Sequence, residues 1–398
     1  MPNNEVRTVT LLGLGFGLVG LDRWIIAPLF PAMVADLHLG YRDLGNLVGV
    51  LGVSWGLFSV LSGRAADSIG YRRILIPTVL SFAVLSTLSG LASGLVGLII
   101  VRALMGAAQG SFCPVSFAAT AAASEPHRRG FNLGLQQCGF ALFGLGLGPI
   151  LATQLLAVTP SWRWVYWINA APTLGLGLLL YFFLREPPAA PLSVPAGGTG
   201  DSWGQLFRSR NIVLSMFALM STMTCVFVMS AMAPSYLEDF LKLSRAEMGF
   251  VMSAIGFGGF FGQFGIPAIS DRLGRRWTAI LSFTGAVAAV YAFRGVGASP
   301  GLLAALLFAI AFFCLGNVAL ITGPIASESA PAGLVTSAIG IVVGAGEIFG
   351  GGVAPWLAGR IADAYGIQNI LYLALAGVAL GAIVCLFLRE TAPRRAMS

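Results

Sequence analysis

Apolar stretches of about twenty residues recur along the whole chain, and each can cross a hydrocarbon core of about 30 Å as one helix. We count twelve, at 8–33, 45–66, 74–92, 95–122, 130–157, 163–185, 211–237, 247–269, 277–297, 301–326, 333–359 and 369–388. Backbone in lipid must satisfy its own hydrogen bonds, and no segment shows the ten-residue alternation of a barrel strand. Only 10% of the residues are charged and 57% are hydrophobic, against roughly one quarter charged in soluble domains. The expected fold class is an all-α integral membrane protein with 12 transmembrane helices.

The stretches fall into two sets of six. Between the sixth and seventh lies Glu186-Pro187-Pro188, followed by Ala, Pro, Ser and Gly up to Asp201, which reads as a flexible linker. The expected organisation is an N-terminal six-helix bundle (1–186), a cytoplasmic linker (187–210) and a C-terminal six-helix bundle (211–398). The halves share landmarks. Asp67-Ser-Ile-Gly70-Tyr-Arg72-Arg73 returns as Asp271-Arg-Leu-Gly274-Arg275-Arg276, a shift of 204 from Asp67 to Asp271. Ala27-Pro28 and Gly148-Pro149 return as Ala233-Pro234 and Ala354-Pro355, each shifted by 206. Six-span repeats run in the same direction, which predicts a pseudo-twofold axis along the membrane normal and a site between the halves.

Cytoplasmic loops retain Lys and Arg, so charge sets orientation. With both termini inside, fifteen of the 23 basic residues lie on the cytoplasmic side. Six lie outside (Arg42, Arg163, Lys242, Arg245, Arg294, Arg360), and Arg23 and Arg102 fall within spans. The net charge of +7 is spread over separate loops, which fits the inner leaflet of a bacterial plasma membrane and not nucleic acid. The apolar stretch after Met1-Pro-Asn-Asn-Glu-Val-Arg7 is too long for a cleaved signal and is expected to stay as the first helix. The five cysteines lie in apolar stretches without CxxC spacing, and His38 and His127 sit in separate loops, so no metal site or cofactor is expected. An enzyme is not expected. Lys242 is the only lysine, no GxxxxGK(S/T) loop exists, and no Ser/His/Asp set shares a leaflet.

Gly63-Arg-Ala-Ala-Asp67-Ser-Ile-Gly70-Tyr-Arg72-Arg73 resembles the GxxxD(R/K)xGR(R/K) signature of the major facilitator superfamily, with Ser68 where a basic residue is usual. The copy at Asp271, Gly274, Arg275 and Arg276 occupies the equivalent loop of the second half, with Pro267 at its first glycine. The resemblance implies alternating access, with this loop holding the cytoplasmic side shut. Physically, the Asp67 carboxylate can accept hydrogen bonds from the free N–H groups of a neighbouring helix end, Gly70 permits a tight turn, and the arginines pair with carboxylates or lipid phosphates. Arg102-Ala-Leu-Met-Gly106-Ala-Ala-Gln-Gly110 resembles the family's RxxxGxxxG, and Gly144-Leu-Gly-Leu-Gly148-Pro149 resembles a motif stressed in exporters.

Four charges lie inside spans: Asp22, Arg23, Arg102 and Glu347. Each costs about 3 kcal/mol at a helix centre, so each needs a task or a partner. Counting along the helices puts Arg23 and Arg102 at similar depths, where both guanidiniums could face one anion. Asp22 points about 100° away from Arg23 around the helix and is better placed to pair with another span, through Arg102 or as a structural salt bridge. A lone carboxyl in apolar surroundings can load and release a proton, so Glu347 is the leading proton carrier and Asp22 the second. The glycines around Glu347 leave open a structural bond to backbone instead. Leu21-Asp22-Arg23 resembles the anion:cation symporter branch, in which an arginine here binds an organic acid, although that branch usually has Glu where this chain has Gln109.

The sequence thus predicts a proton-coupled symporter importing a small organic anion, with a drug/proton antiporter as the alternative. The expected substrate contacts are Arg23, Arg102, Gln109, Tyr236 and Asn317. The expected partners are the anion, protons and the lipid bilayer, with the protein a monomer.

Overall fold

The computed structural model describes residues 2–125, 129–184, 201–331 and 334–392. The side chains of residues 2–4, 60, 63–69, 129–131, 201–203, 335 and 336 lie outside that description, and the expected gate residues Gly63 and Asp67 fall there. The described chain is helical, without a strand. Eleven helices are long and apolar enough to cross a membrane: α1 (Glu5–Leu37), α3 (Tyr71–Leu91), α4 (Leu95–Ala123), α5 (Asn132–Val158), α6 (Trp162–Phe183), α7 (Arg210–Phe240), α8 (Arg245–Leu273), α9 (Arg275–Arg294), α10 (Pro300–Ser329), α11 (Ser337–Tyr365) and α12 (Ile367–Leu386). The remaining expected span is a 29-residue helix, α2 (Tyr41–Ile69), with Arg42 and Asp43 in its first turn and Arg64 and Asp67 near its end. Of the expected flexible linker, 187–200 lies outside the described residues, whereas Asp201–Arg208 forms a short helix.

Prolines shape the long helices from within. α1 is interrupted at Ile25, where Pro28 withholds the N–H that would bond the Trp24 carbonyl. Widened turns occupy Phe140–Leu147 of α5 and Gly346–Val353 of α11. Pro149 and Pro355 follow them, and each leaves the carbonyl four residues earlier, Leu145 or Gly351, without its ladder bond. Similar turns at Tyr236–Phe240 and Ile321–Ile325 lie beside Pro234 and contain Pro324.

The packing repeats with the sequence. α2 lies on α4 as α8 lies on α10, α3 on α6 as α9 on α12, and α1 on α5 as α7 on α11. Two further seams, α2 with α11 and α5 with α8, join the first six helices to the last six. Both are glycine-lined. A Cβ on Gly45, Gly49 or Gly52 would strike backbone of Pro355, Gly352 or Gly351, and one on Gly256 would strike Gly146. Arg7 lies over the Phe183 ring, 5.6 Å away, and Asn211 exchanges two 3.0 Å bonds with the Arg389 backbone. The first and last helix of each six therefore meet on one face, the terminal face.

Candidate functional site

The break at Ile25 and the widened turn in α11 bring two charges together. Arg23 Nη2 donates to Glu347 Oε2 at 2.9 Å, and the two side chains are 3% and 12% exposed. Arg23 stands at the end of the first α1 segment, and Glu347 is the second residue of the widened turn. The expected isolation of Glu347 is thus corrected, because the carboxylate has a cationic partner from the other half. Aromatic faces enclose the pair. The guanidinium carbon lies 4.3 Å from the Trp55 ring centre on α2, 4.7 Å from Phe227 on α7 and 5.8 Å from Trp24. In dry surroundings each close cation–π contact contributes up to about 2 kcal/mol. Arg23 Nε and Trp24 Nε1 are buried with no hydrogen-bond partner among the described residues.

Arg102 bonds neither Glu347 nor the aromatic walls around Arg23, and its donors go to α1 and α6. It is 1% exposed and donates to the carbonyls of Asp22 (3.3 Å) and Arg23 (3.4 Å) and to the Tyr166 hydroxyl (2.9 Å). The broken turn of α1 offers those carbonyls, and the arginine of α4 ties the break to α6. Height along a helix set the expectation; direction around it decides the outcome. Asp22 is fully buried behind α1, where its carboxylate accepts hydrogen bonds from Ser86 of α3 at 2.8 Å and from Asn169 of α6. It therefore pairs with other spans, as expected, but through Ser86 and Asn169 instead of a salt bridge to Arg102.

The other expected contacts divide. Gln109 and Asn317 are fully buried, and both side-chain amide atoms of each lack a partner among the described residues. An unmet buried polar group costs about 1–3 kcal/mol. Tyr236 instead stacks on Phe240 (centres 5.3 Å apart) and packs near Phe293 (6.1 Å), within the last six helices. Gln136 links α5 to α4 through Thr120 (2.6 Å) and Ser116 (2.8 Å).

The repeated loop forms a charge cluster on the terminal face. Gly70 and Gly274 take nearly the same backbone angles, φ 89° and ψ 154° against φ 92° and ψ 154°, which a side chain would strain. Arg72 donates to the Tyr181 carbonyl at 2.5 Å, as Arg276 does to that of Leu386 at 2.7 Å. Arg73 is exposed on the first turn of α3. In the second copy, Glu390 takes the free N–H groups opening α9, those of Arg275 (2.7 Å) and Arg276 (3.3 Å). Asp271 turns to the Arg275 side chain instead, at 2.5 Å, and that guanidinium also reaches Glu328 at 2.9 Å. Sequence reasoning missed Glu328 and Glu390. The repeat held the signal: Arg389-Glu390 repeats Arg185-Glu186 at a shift of 204, and Glu328 follows Glu125 by 203.

A family model described as Major Facilitator Superfamily matches residues 12–343 and 228–397. A probable 4-methylmuconolactone transporter of Cupriavidus pinatubonensis is 28% identical over 351 residues, 85% of this chain and 81% of the relative. A multidrug resistance protein of Salmonella paratyphi A is 32% identical over 191 residues, 47% of this chain and 46% of that one. The fold resembles a crystal structure of a bacterial homologue of the human lysosomal transporter Spinster, inward-facing and unoccupied, with a TM-score of 0.80, 14% identity and 96% of both chains covered.

Proposed function

The chain belongs to the Major Facilitator Superfamily, and from that premise we propose that it is a proton-coupled symporter carrying a small organic carboxylate into a bacterial cell across the inner membrane. The observation behind this reading is the 2.9 Å ion pair of Arg23 and Glu347. Protonating Glu347 removes the charge that holds it to Arg23 and frees the guanidinium fork for a substrate carboxylate. An anion arriving at Arg23 displaces Glu347 and favours its protonation, because such coupling is reciprocal.

Charge balance makes the coupling tight. The empty site (Arg23 cation, Glu347 anion) is neutral, and so is the site loaded with both proton and anion. Either ligand alone leaves a net charge in a nearly dry, aromatic-walled space, which is costly. Trp55 and Phe227 provide flat walls, and the unpartnered amides of Gln109 and Asn317 supply polar contacts. The relative named for 4-methylmuconolactone supports a small organic metabolite as cargo. We read 1–186 and 211–398 as the two bundles that rock about this site. The excess of Arg on the terminal face supports cytoplasmic termini, and the protein acts as a monomer.

A drug/proton antiporter is the competing reading, favoured by the partial match to the multidrug resistance protein and by Gly148-Pro149. Proteoliposomes with an imposed inward proton gradient and a panel of labelled mono- and dicarboxylates separate the two. The symporter accumulates one of the acids. Expulsion of a lipophilic cation with no acid accumulated would sink the reading.

A further inference from the structure

The gate motif is written a third time, on the face opposite the termini. Gly359-Arg360-Ile-Ala362-Asp363-Ala-Tyr-Gly366 repeats Gly63-Arg64-Ala-Ala66-Asp67-Ser-Ile-Gly70, with glycine, arginine, alanine, aspartate and glycine in register at a shift of 296. It closes α11, whereas the first copy closes α2. The backbone agrees with the sequence. Gly366 has φ 91° and ψ 149°, beside 89° and 154° at Gly70, and its N–H bonds the Ala362 carbonyl (3.0 Å) as that of Gly274 bonds Ser270 (2.9 Å).

Two parts of this copy, Asp363 and Gly359, meet the start of α2. Asp363 Oδ2 accepts the Arg42 backbone N–H at 3.1 Å, one of the free donors of that helix end. A Cβ added at Gly40 would lie 3.5 Å from Asp363 Oδ1, so the carboxylate sits directly over the helix start, where the dipole favours it. Gly359 packs against Tyr41 and Arg42 backbone, leaving no room for a side chain. The neighbouring residue adds a second tie, from Tyr41 Oη to Asp239 Oδ2 of α7 at 2.8 Å. Two consecutive residues of α2 are thus bound to two helices of the other half.

The symmetry-related seam lacks the device. The α8 start is capped by its own residues, with Ser244 Oγ accepting the Glu247 N–H (3.3 Å) and Glu247 Oε2 accepting that of Ser244 (2.9 Å). At a shift of 206 from Asp363, α5 carries Ala157.

We infer that Asp363 and Gly366, with Tyr41 and Asp239, form a second gate on the face opposite the termini. It is a latch that holds α2 to α11 and α7 while that face is shut, and it must release for the site to open there. The motif on α2 and its copy on α11 thus serve opposite faces of the same helix pair. This assignment does not depend on the nature of the cargo.

The test places spin labels at Gly94→Cys and Gly297→Cys, loop positions in opposite halves with no atom within 4 Å of an added Cβ. The native cysteines are replaced by serine, and distances are measured by double electron–electron resonance without substrate. Asp363→Ala should raise the long-distance population several-fold. Asp363→Asn, whose amide oxygen still accepts, should give a smaller rise, and Tyr41→Phe should add to either. An unchanged distribution in Asp363→Ala, or in Asp363→Asn with Tyr41→Phe where the alanine variant does not fold, overturns the latch. Because no substrate enters the measurement, this failure is distinct from that of the carboxylate reading.

Discussion

Arg23 and Glu347 stand 324 residues apart in the chain and share a 2.9 Å ion pair between α1 and α11. Glu347→Gln leaves a side chain of similar size that carries no proton. Anion exchange should then continue while accumulation driven by a proton gradient is lost. The wild-type apparent KM should fall as the proton concentration is raised, because proton and anion favour each other's binding; in the variant it should be flat with pH. Counterflow and gradient-driven uptake, measured on the same proteoliposomes across pH, decide this.

Arg23→Lys keeps the charge and loses the planar fork. A hydrogen bond to a charged group contributes about 1.5–3 kcal/mol, so KM should rise roughly ten- to hundredfold with a smaller change in kcat. Arg23→Ala should be worse for stability as well, because it strands Glu347 at a cost of about 3–5 kcal/mol. Adding Glu347→Ala should recover much of that loss in thermal unfolding. An unchanged KM in Arg23→Lys would remove Arg23 from the carboxylate site.

Arg102 bonds the Asp22 and Arg23 carbonyls and the Tyr166 hydroxyl, and we propose that it supports α1 and does not grip cargo. Arg102→Leu strands the Tyr166 hydroxyl and two carbonyls at the Ile25 break. Each unmet group costs about 1–3 kcal/mol, so the detergent-solubilised protein should melt several degrees lower. KM of the folded fraction should stay within a few-fold of wild type. A KM change as large as that of Arg23→Lys would return Arg102 to the substrate.

These contrasts show what the chain discloses by itself. The spans, the repeat and the four buried charges were legible because charge in an apolar run is costly and rare. Their pairing was not. Depth follows from counting residues, but the direction of a side chain depends on where prolines break or widen a helix, and Pro28 and Pro355 do both. Arg102 and Arg23 match in depth, yet the Arg102 donors go to α1 carbonyls and Tyr166, and Glu347 looked solitary when a widened turn aims it at Arg23. The stacking of Tyr236 on Phe240, four residues on, was likewise hidden, because it forms across another widened turn. Glu390 was hidden by its place in a polar tail, although its counterpart Glu186 stood at the shift already in use.

The last prediction concerns that glutamate. Glu390 binds the first two N–H groups of α9, and its Oε1 also accepts from Thr391 (3.1 Å) and Ala392 (3.0 Å), so one carboxylate fixes the chain end to the second gate loop. Glu390→Ala should cost about 1 kcal/mol as a lost helix cap, and more where the dipole interaction is dry. Gly274→Ala attacks the same point from the other side, through a strained backbone angle and a collision with the Glu390 carboxylate. Because both act on one contact, the double variant should melt well above the temperature expected from adding the two losses. Strict additivity in thermal unfolding would mean that Glu390 and the Gly274 turn are independent, and that the helix start is held by something else.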